Sequence, residues 1–103
     1  MALRPPRGSG GIDPMRTGIG VLDYEIAGEM ASSLGRAGER VALAIAALSA
    51  TGEGTDRAAA LHAATDAVYA YFIQRELCGL RRHDDAIREY AIPRAVLARL
   101  GAR

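Results

Sequence analysis

The sequence has no lysine, asparagine or tryptophan, and it has one phenylalanine and one cysteine among its 103 residues. A lone cysteine excludes a disulfide within the chain, so we expect a reducing, cytoplasmic setting. The formal net charge is only +1, which excludes a strong overall attraction to nucleic acid or to an acidic membrane surface. Arginine supplies the basic side chains that lysine usually shares, a bias that a G+C-rich bacterial coding sequence would produce.

Long apolar segments are also missing. The longest apolar run is VALAIAAL, from Val41 to Leu48, whereas a membrane-spanning helix needs about 20 such residues. The first residues carry positive charge without an apolar segment behind it, which is not the pattern of a secretory signal. We therefore expect no membrane partner.

What the chain does contain is helical periodicity. Residues 1–19 hold three of the four prolines and are expected to form a flexible tail, whereas residues 20–103 are expected to form a single helical domain. One long helix is predicted from Gly20 to about Ser49. Its apolar residues recur at steps of three or four, namely Leu22, Ile26, Met30, Leu34, Ala37, Val41, Ile45 and Leu48.

A second helix is predicted after the break SATGEGT. It begins at Thr55 or Asp56, either of which can cap it, and Gly79 in a left-handed conformation ends it just after Leu77. Its predicted inner stripe contains Ala58, Leu61, Thr65, Val68 and Phe72, widened by Tyr69, Ile73 and Leu77.

Two short helices are predicted to follow this hairpin. Asp84 or Asp85 caps the first, which ends at Tyr90. Pro93 suits the first position of the second, which ends at Leu100.

A stripe of small residues runs along the long helix, formed by Gly28, Ala31, Gly35, Gly38 and Ala42. A glycine inside a helix costs about 0.8–1 kcal/mol relative to alanine, so this stripe suggests that another backbone packs closely against it. The alternative is a helix that kinks or breaks around Gly35–Gly38.

The run VALAIAAL is apolar on all sides, and one small chain can hardly enclose it. We therefore predict a homodimer. The predicted interface contains Gly28, Ala31, Gly35, Gly38, Val41, Ala42, Ile45 and Leu48. The predicted fold is all-α, with a long antiparallel helical hairpin and two short C-terminal helices that dimerise into a four-helix-type bundle.

Candidate catalytic and metal-binding groups are few. Cys78 and His83 would be a nucleophile and its base, but Cys78 falls at a predicted helix C-terminus, where the helix dipole disfavours a thiolate. His62 and Asp66 lie one turn apart and are interpreted as an exposed ion pair. Neither they nor His83–Asp85 form the dense ligand set of a zinc or di-iron site. We therefore predict no catalytic, cofactor-binding or metal-binding residue.

Charge is unevenly distributed along the chain. From Gly20 to Gly54 five acidic residues stand against two arginines, and from Arg75 onward seven arginines stand against four acidic residues. Near the predicted end of the hairpin, an anion or an acidic partner segment could be held by Gln74, Arg75, Arg81, Arg82 and His83. The favoured interpretation is an ordinary solvated surface.

The run IREYAIPRAVLARL, from Ile87 to Leu100, has the apolar spacing of a helix-turn-helix, with Ala91 where glycine usually stands. A recognition helix needs long polar side chains on its outer face. The outward positions here are Arg94, Ala95, Ala98 and Arg99. Because only the two arginines could contact phosphate or bases, structural closure of the bundle is favoured over DNA binding by residues 84–100.

The run YFIQRELCGLRRHDDAIREYAIPRAVLARLG, residues 71–101, resembles the C-terminal half of a family of small bacterial all-helical proteins of unknown function. The resemblance implies short, stand-alone chains and implies no activity, cofactor or catalytic residue. The expected function is therefore that of a non-enzymatic, oligomeric structural or protein-interaction module, with a second copy as its first partner. The alternative is a small DNA-binding regulator that uses residues 84–100.

Overall fold

The computed structural model describes the backbone of residues 14–102 and the side chains of residues 20–102. Every regular element in this range is an α-helix, as the periodicity predicts. The helices are α1 (Pro14–Ala50), α2 (Thr55–Leu77), α3 (Asp84–Glu89) and α4 (Arg94–Gly101). By its internal contacts the chain divides into two units, Met1–Met30 and Ala31–Arg103, each described by itself.

Helix α1 begins at Pro14, so residues 14–19 are helical where the sequence predicts a tail. Proline suits a first helical turn because its missing N–H needs no partner there and its φ is already helical. The helix continues to Ala50 through Gly35 and Gly38, so the alternative of a helix broken at these glycines is wrong. The remainder of the predicted tail lies outside the described residues.

The first unit presents its described apolar side chains to solvent. The exposed ones are Val21, Leu22, Tyr24 and Ile26. Met30, at the end of the unit, is half-buried. The N-terminal part of the predicted α1 stripe is therefore helical but not covered.

The second unit contains a small apolar core to which all four helices contribute. Its buried members are Ala37, Val41, Ile45, Leu48, Ala64, Val68, Tyr71, Ala86, Ile92 and Val96. The α1 members are those that the sequence predicts from steps of three and four. The hydroxyl of Thr65, buried among them, donates to the Leu61 carbonyl at 2.8 Å, so its burial leaves no unsatisfied donor.

Helix α2 has the predicted bounds and buries part of the predicted inner stripe, since Thr65 and Val68 are buried and Leu61 and Phe72 pack partly buried against the core. Its buried side chains include Ala64, Val68, Tyr71 and Arg75, at steps of four, three and four. The residues predicted to complete or widen the inner stripe are exposed instead, namely Ala58, Tyr69, Ile73 and Leu77. The predicted caps are also wrong, because Gly54 stands at the N-cap of α2 and His83 at that of α3, each without a side-chain capping bond.

Two helices end in the same way, with a residue in the left-handed region. After α2, Gly79 has a φ of 90°, as predicted, and the Leu80 N–H donates to the Arg75 carbonyl at 2.9 Å. After α3, Ala91 has a φ of 50°, and the Ile92 N–H donates to the Ile87 carbonyl at 3.0 Å. Both are Schellman motifs, which satisfy carbonyls that the helix end leaves free. They set the directions in which α3 and α4 leave.

Candidate interaction surfaces

Arg75 is the most deeply buried charged side chain among the described residues, only 6% exposed near the end of α2. Its Nε donates to Nδ1 of His83 at 3.0 Å, and its Nη2 donates to the Arg82 carbonyl at 2.8 Å and to Oδ1 of Asp85 at 3.0 Å. The guanidinium also lies 5.7 Å from the centre of the Tyr71 ring. One side chain thus joins α2, the following loop and the start of α3.

His83 completes this cluster. Because Arg75 can only donate, Nδ1 of His83 accepts, and the hydrogen of the ring lies on Nε2, which donates to Oε2 of Glu76 at 3.0 Å. The ring stacks on Phe72, with centroids 4.1 Å apart and planes 3° from parallel. We call Phe72, Arg75, Glu76, His83 and Asp85 the arginine–histidine cluster.

Nε and Nη2 of Arg75 and both ring nitrogens of His83 bond to groups of the same chain, which limits what the cluster can bind. Of the five residues named as a candidate anion-binding group, Arg75 and His83 make internal hydrogen bonds, whereas Arg81 and Arg82 are exposed. The arrangement therefore fixes the geometry between α2 and α3, and it does not leave a gathered set of cations. Cys78 stands at the C-cap of α2, as predicted, with a free, half-buried thiol.

Two tyrosines pack beside the cluster against α1. The rings of Tyr71 and Tyr90 meet edge to face, with centroids 5.5 Å apart. The hydroxyl oxygen of Tyr90 lies 2.5 Å from the point where a Cβ on Gly38 would stand. Burial, followed by the hydrogen bond with Tyr71, raises the pKa of Tyr90 above its ordinary value of 10.0. Gly38 thus makes room for an aromatic side chain of its own chain.

The eight residues of the predicted dimer interface fall into a buried group and an exposed group. Gly38, Val41, Ile45 and Leu48 are buried within the chain itself, so they are core residues. Gly28, Ala31, Gly35 and Ala42 are exposed. The run VALAIAAL is not apolar surface on all sides, because the second unit covers one face of it and leaves Leu43 72% exposed on the other.

The C-terminal pair of helices has the predicted turn and the predicted short second helix, although Pro93 stands at the N-cap of α4 and not at its first helical position. Arg94 and Arg99 are exposed, as are Ala95 and Ala98 between them. Val96 is fully buried, which holds α4 against the core. The outward face of α4 is therefore the one that the spacing predicts, with two arginines and two alanines.

A shallow, open cavity of about 340 Å³ is lined by His62, Thr65, Arg99 and Ala102. His62 lies 3.3 Å from Asp66 in the predicted exposed ion pair, and the Thr65 hydroxyl already donates to a backbone carbonyl. The polar groups of this cavity therefore do not converge on one point in the way that a small-molecule site requires.

Among the described residues, no three or more His, Cys, Asp or Glu side chains are grouped closely enough to hold a metal ion. None of the described helices combines the length and the apolar character that crossing a bilayer requires.

The most extensive unassigned feature of the molecule is exposed apolar surface. On α2, Ile73 and Leu77 lie one turn apart on the outer face, and Leu77 is 66% exposed. On α1, Leu22 and Ile26 repeat this spacing at 56% and 50% exposure. Sequence periodicity placed all four in inner stripes and so missed their exposure.

Comparison with protein families assigns the chain to one family. The sequence pattern of the family of unknown function DUF6665 matches residues 9–103. The chain belongs to this family. No curated protein and no solved structure matches it. The expected membership of an uncharacterised all-helical family is thereby confirmed, and the family brings no assigned activity or functional residue.

Proposed function

We propose that the protein is a non-enzymatic helical module that acts by binding protein, with a second copy of itself as one partner. The observation that carries the proposal is the exposed apolar surface of its helices. The residues concerned are Val21, Leu22, Tyr24, Ile26, Leu43, Tyr69, Ile73, Leu77 and Leu80. Isolated exposed apolar residues are ordinary, but groups at helical spacing mark surfaces that bind other helices.

We propose that the protein is not an enzyme because its buried polar groups are hydrogen-bonded to one another and do not converge on a cavity. Catalytic groups need a cavity on which several of them converge. The buried Arg75 and the half-buried His83 instead bond to their own neighbours, and at the open cavity beside Arg99 both His62 and Thr65 already have partners. A reducing, cytoplasmic location is part of the same proposal, supported by the free thiol of Cys78.

Self-association is tested by light scattering and sedimentation velocity on the full chain across the micromolar range. We expect a dimer that dissociates on dilution, because the exposed apolar area is a modest one. A monomer at every concentration would remove self-association from the proposal.

A second candidate function is DNA binding through α3 and α4, favoured by the outward arginines Arg94 and Arg99 and by the turn at Ala91. Duplex binding should be measured at several salt concentrations for the wild type and for the Arg94→Ala/Arg99→Ala variant. Binding that weakens with salt and depends on both arginines would support a regulator. Loss of either property would eliminate it.

A further inference from the structure

The molecule has two exposed apolar helix faces that are flanked by charges of opposite sign. We propose that the acidic α1 face of one copy docks on the basic α2 face of a second copy. The acidic α1 face consists of Leu22, Asp23, Glu25, Ile26 and Glu29. The basic α2 face consists of Ile73, Leu77, Leu80, Arg81 and Arg82. This inference rests on the proposed self-association and names the surfaces that produce it.

The acidic α1 face combines an apolar stripe with a single sign of charge. Leu22 and Ile26 lie one helical turn apart and are half exposed or more. Exposed carboxylates flank them, and residues 20–30 contain no basic side chain. A partner that covers the stripe must therefore supply both apolar contact and positive charge.

The basic α2 face offers that combination. Ile73 and Leu77 repeat the one-turn spacing on the outer side of α2, and Leu80 continues the apolar surface past the helix end. Arg81 and Arg82 follow directly and are exposed. Of the adjacent carboxylates, Asp85 is paired with Arg75, whereas Glu76 accepts from the neutral His83 ring and keeps its negative charge, so the two exposed arginines outnumber it on this face.

Charge decides which faces pair. Two acidic α1 faces would bring carboxylates against carboxylates, and two basic α2 faces would bring guanidinium groups together. Like charges in an interface cost several kcal/mol and suppress that partner, whereas opposite charges favour it. Pairing one acidic α1 face with one basic α2 face is the combination that covers apolar side chains without opposing like charges.

A two-fold arrangement allows the contact to form twice. The acidic α1 face of each copy contacts the basic α2 face of the other copy. The two contacts are equal, and together they make a closed dimer. If the two contacts cannot close, the same pairing continues from copy to copy and produces longer assemblies. Sedimentation velocity separates these cases.

A charge exchange between two variants tests the pairing. One variant carries Glu25→Arg and Glu29→Arg, and the other carries Arg81→Glu and Arg82→Glu. Alone, each opposes like charges in both contacts, so its dissociation constant should rise at least about tenfold. An equimolar mixture opposes unlike charges in both contacts, so it should form a mixed dimer close to wild-type affinity.

Two further variants serve as controls for the charge exchange. Arg94→Glu/Arg99→Glu makes the same charge change on exposed residues of the same basic region, and it should leave association unchanged. Leu22→Ser/Ile26→Ser should weaken association with no change of charge. Circular dichroism of each variant checks that the exposed substitutions leave the helices intact.

The outcomes separate this inference from the proposed function. A wild-type dimer that neither charge variant weakens, or variants that do not associate when mixed, would overturn the pairing and leave self-association standing. A wild-type chain that is monomeric throughout would overturn both. Rescue by mixing, with the α4 variant unaffected, is the result that supports the pairing.

Discussion

At the scale of single residues, the two helix-ending motifs differ in one respect. Gly79 and Ala91 both occupy the left-handed region, with φ values of 90° and 50°. Glycine adopts this conformation without steric cost, whereas in alanine the Cβ crowds the following carbonyl oxygen. The motif after α3 therefore carries strain that the one after α2 does not.

Replacing Ala91 with glycine should stabilise the protein. Removing the Cβ relieves a cost of about 1–2 kcal/mol, and the greater freedom of glycine in the unfolded chain offsets part of it, so we expect a gain of about 0.5–1 kcal/mol. Urea unfolding measures the change. Ala95→Gly, on the exposed face of α4, is the control and should destabilise, because there the backbone is helical. Equal effects of the two substitutions would refute the strain at Ala91.

Gly38 illustrates packing at the same scale. A methyl group there meets the Tyr90 hydroxyl, so Gly38→Ala should destabilise by up to about 2 kcal/mol, the cost of overpacking less the gain in helix propensity. In a Tyr90→Phe background the clash is absent, and Gly38→Ala should become neutral or stabilising. A double-mutant cycle by chemical denaturation measures this coupling.

Gly35 is the matched control for Gly38. A Cβ at Gly35 meets nothing within 4 Å, so Gly35→Ala should stabilise the helix by about 0.8–1 kcal/mol. The same variant tests the exposed members of the small-residue stripe. If Gly35→Ala weakens self-association, that stripe is part of the dimer interface after all.

Tyr90 also predicts a pH dependence. Burial and the hydrogen bond with Tyr71 raise the folded-state pKa of Tyr90 above 10.0, so the folded state favours the neutral phenol. Its contribution to stability is therefore complete below pH 10 and is lost as the pH rises through the folded-state pKa. Unfolding free energies measured from pH 8 to pH 11 should fall less steeply in Tyr90→Phe than in the wild type. Parallel profiles would contradict this assignment.

At the scale of helices, sequence periodicity predicted where the helices lie in the chain better than it predicted which of their faces is buried. The ends of α2 and the buried α1 positions Val41, Ile45 and Leu48 follow from spacing and turn residues. The face of α2 was predicted only in part. Thr65 and Val68 are buried as predicted, but Ala64, Tyr71 and Arg75 were missed, the last because a hydrophobicity rule rejects a charged residue. Arg75 can be buried because His83 and Asp85 accept its hydrogen bonds, and only the folded chain brings these residues to it.

Arg75 determines how α2 and α3 are joined, so its removal should act on both. Arg75→Ala loses three hydrogen bonds and the packing on Tyr71, and we expect a loss of about 2–3 kcal/mol. Arg75→Lys keeps the charge but not the planar set of donors, so it should recover only part of this. The exposed Arg81→Ala should change stability by less than about 0.5 kcal/mol. Thermal and urea unfolding compare the three, and equal effects of Arg75→Ala and Arg81→Ala would exclude a structural role for the cluster.

At the scale of the whole molecule, stability and association depend on different parts of the chain. Every buried apolar side chain described lies at Ala37 or later, in the second unit. The described side chains of the first unit are exposed apart from the half-buried Met30, and they include Tyr24 at 84% exposure. The core is therefore built without the first unit, whose apolar groups remain available for binding.

Deleting residues 1–30 should consequently preserve folding and remove self-association. At low concentration the melting temperature of the shortened chain should stay within about 4 °C of the wild type, the shift that 1 kcal/mol produces in a domain of this size. Association stabilises the folded state by mass action, so the wild-type melting temperature should rise with protein concentration, whereas that of the shortened chain should not. Deleting only residues 1–13 leaves the described part of α1 intact, and this control should retain the dependence on concentration. If the shortened chain still associates, the interface lies in the second unit alone. If it fails to fold, α1 needs its first turns to hold the core.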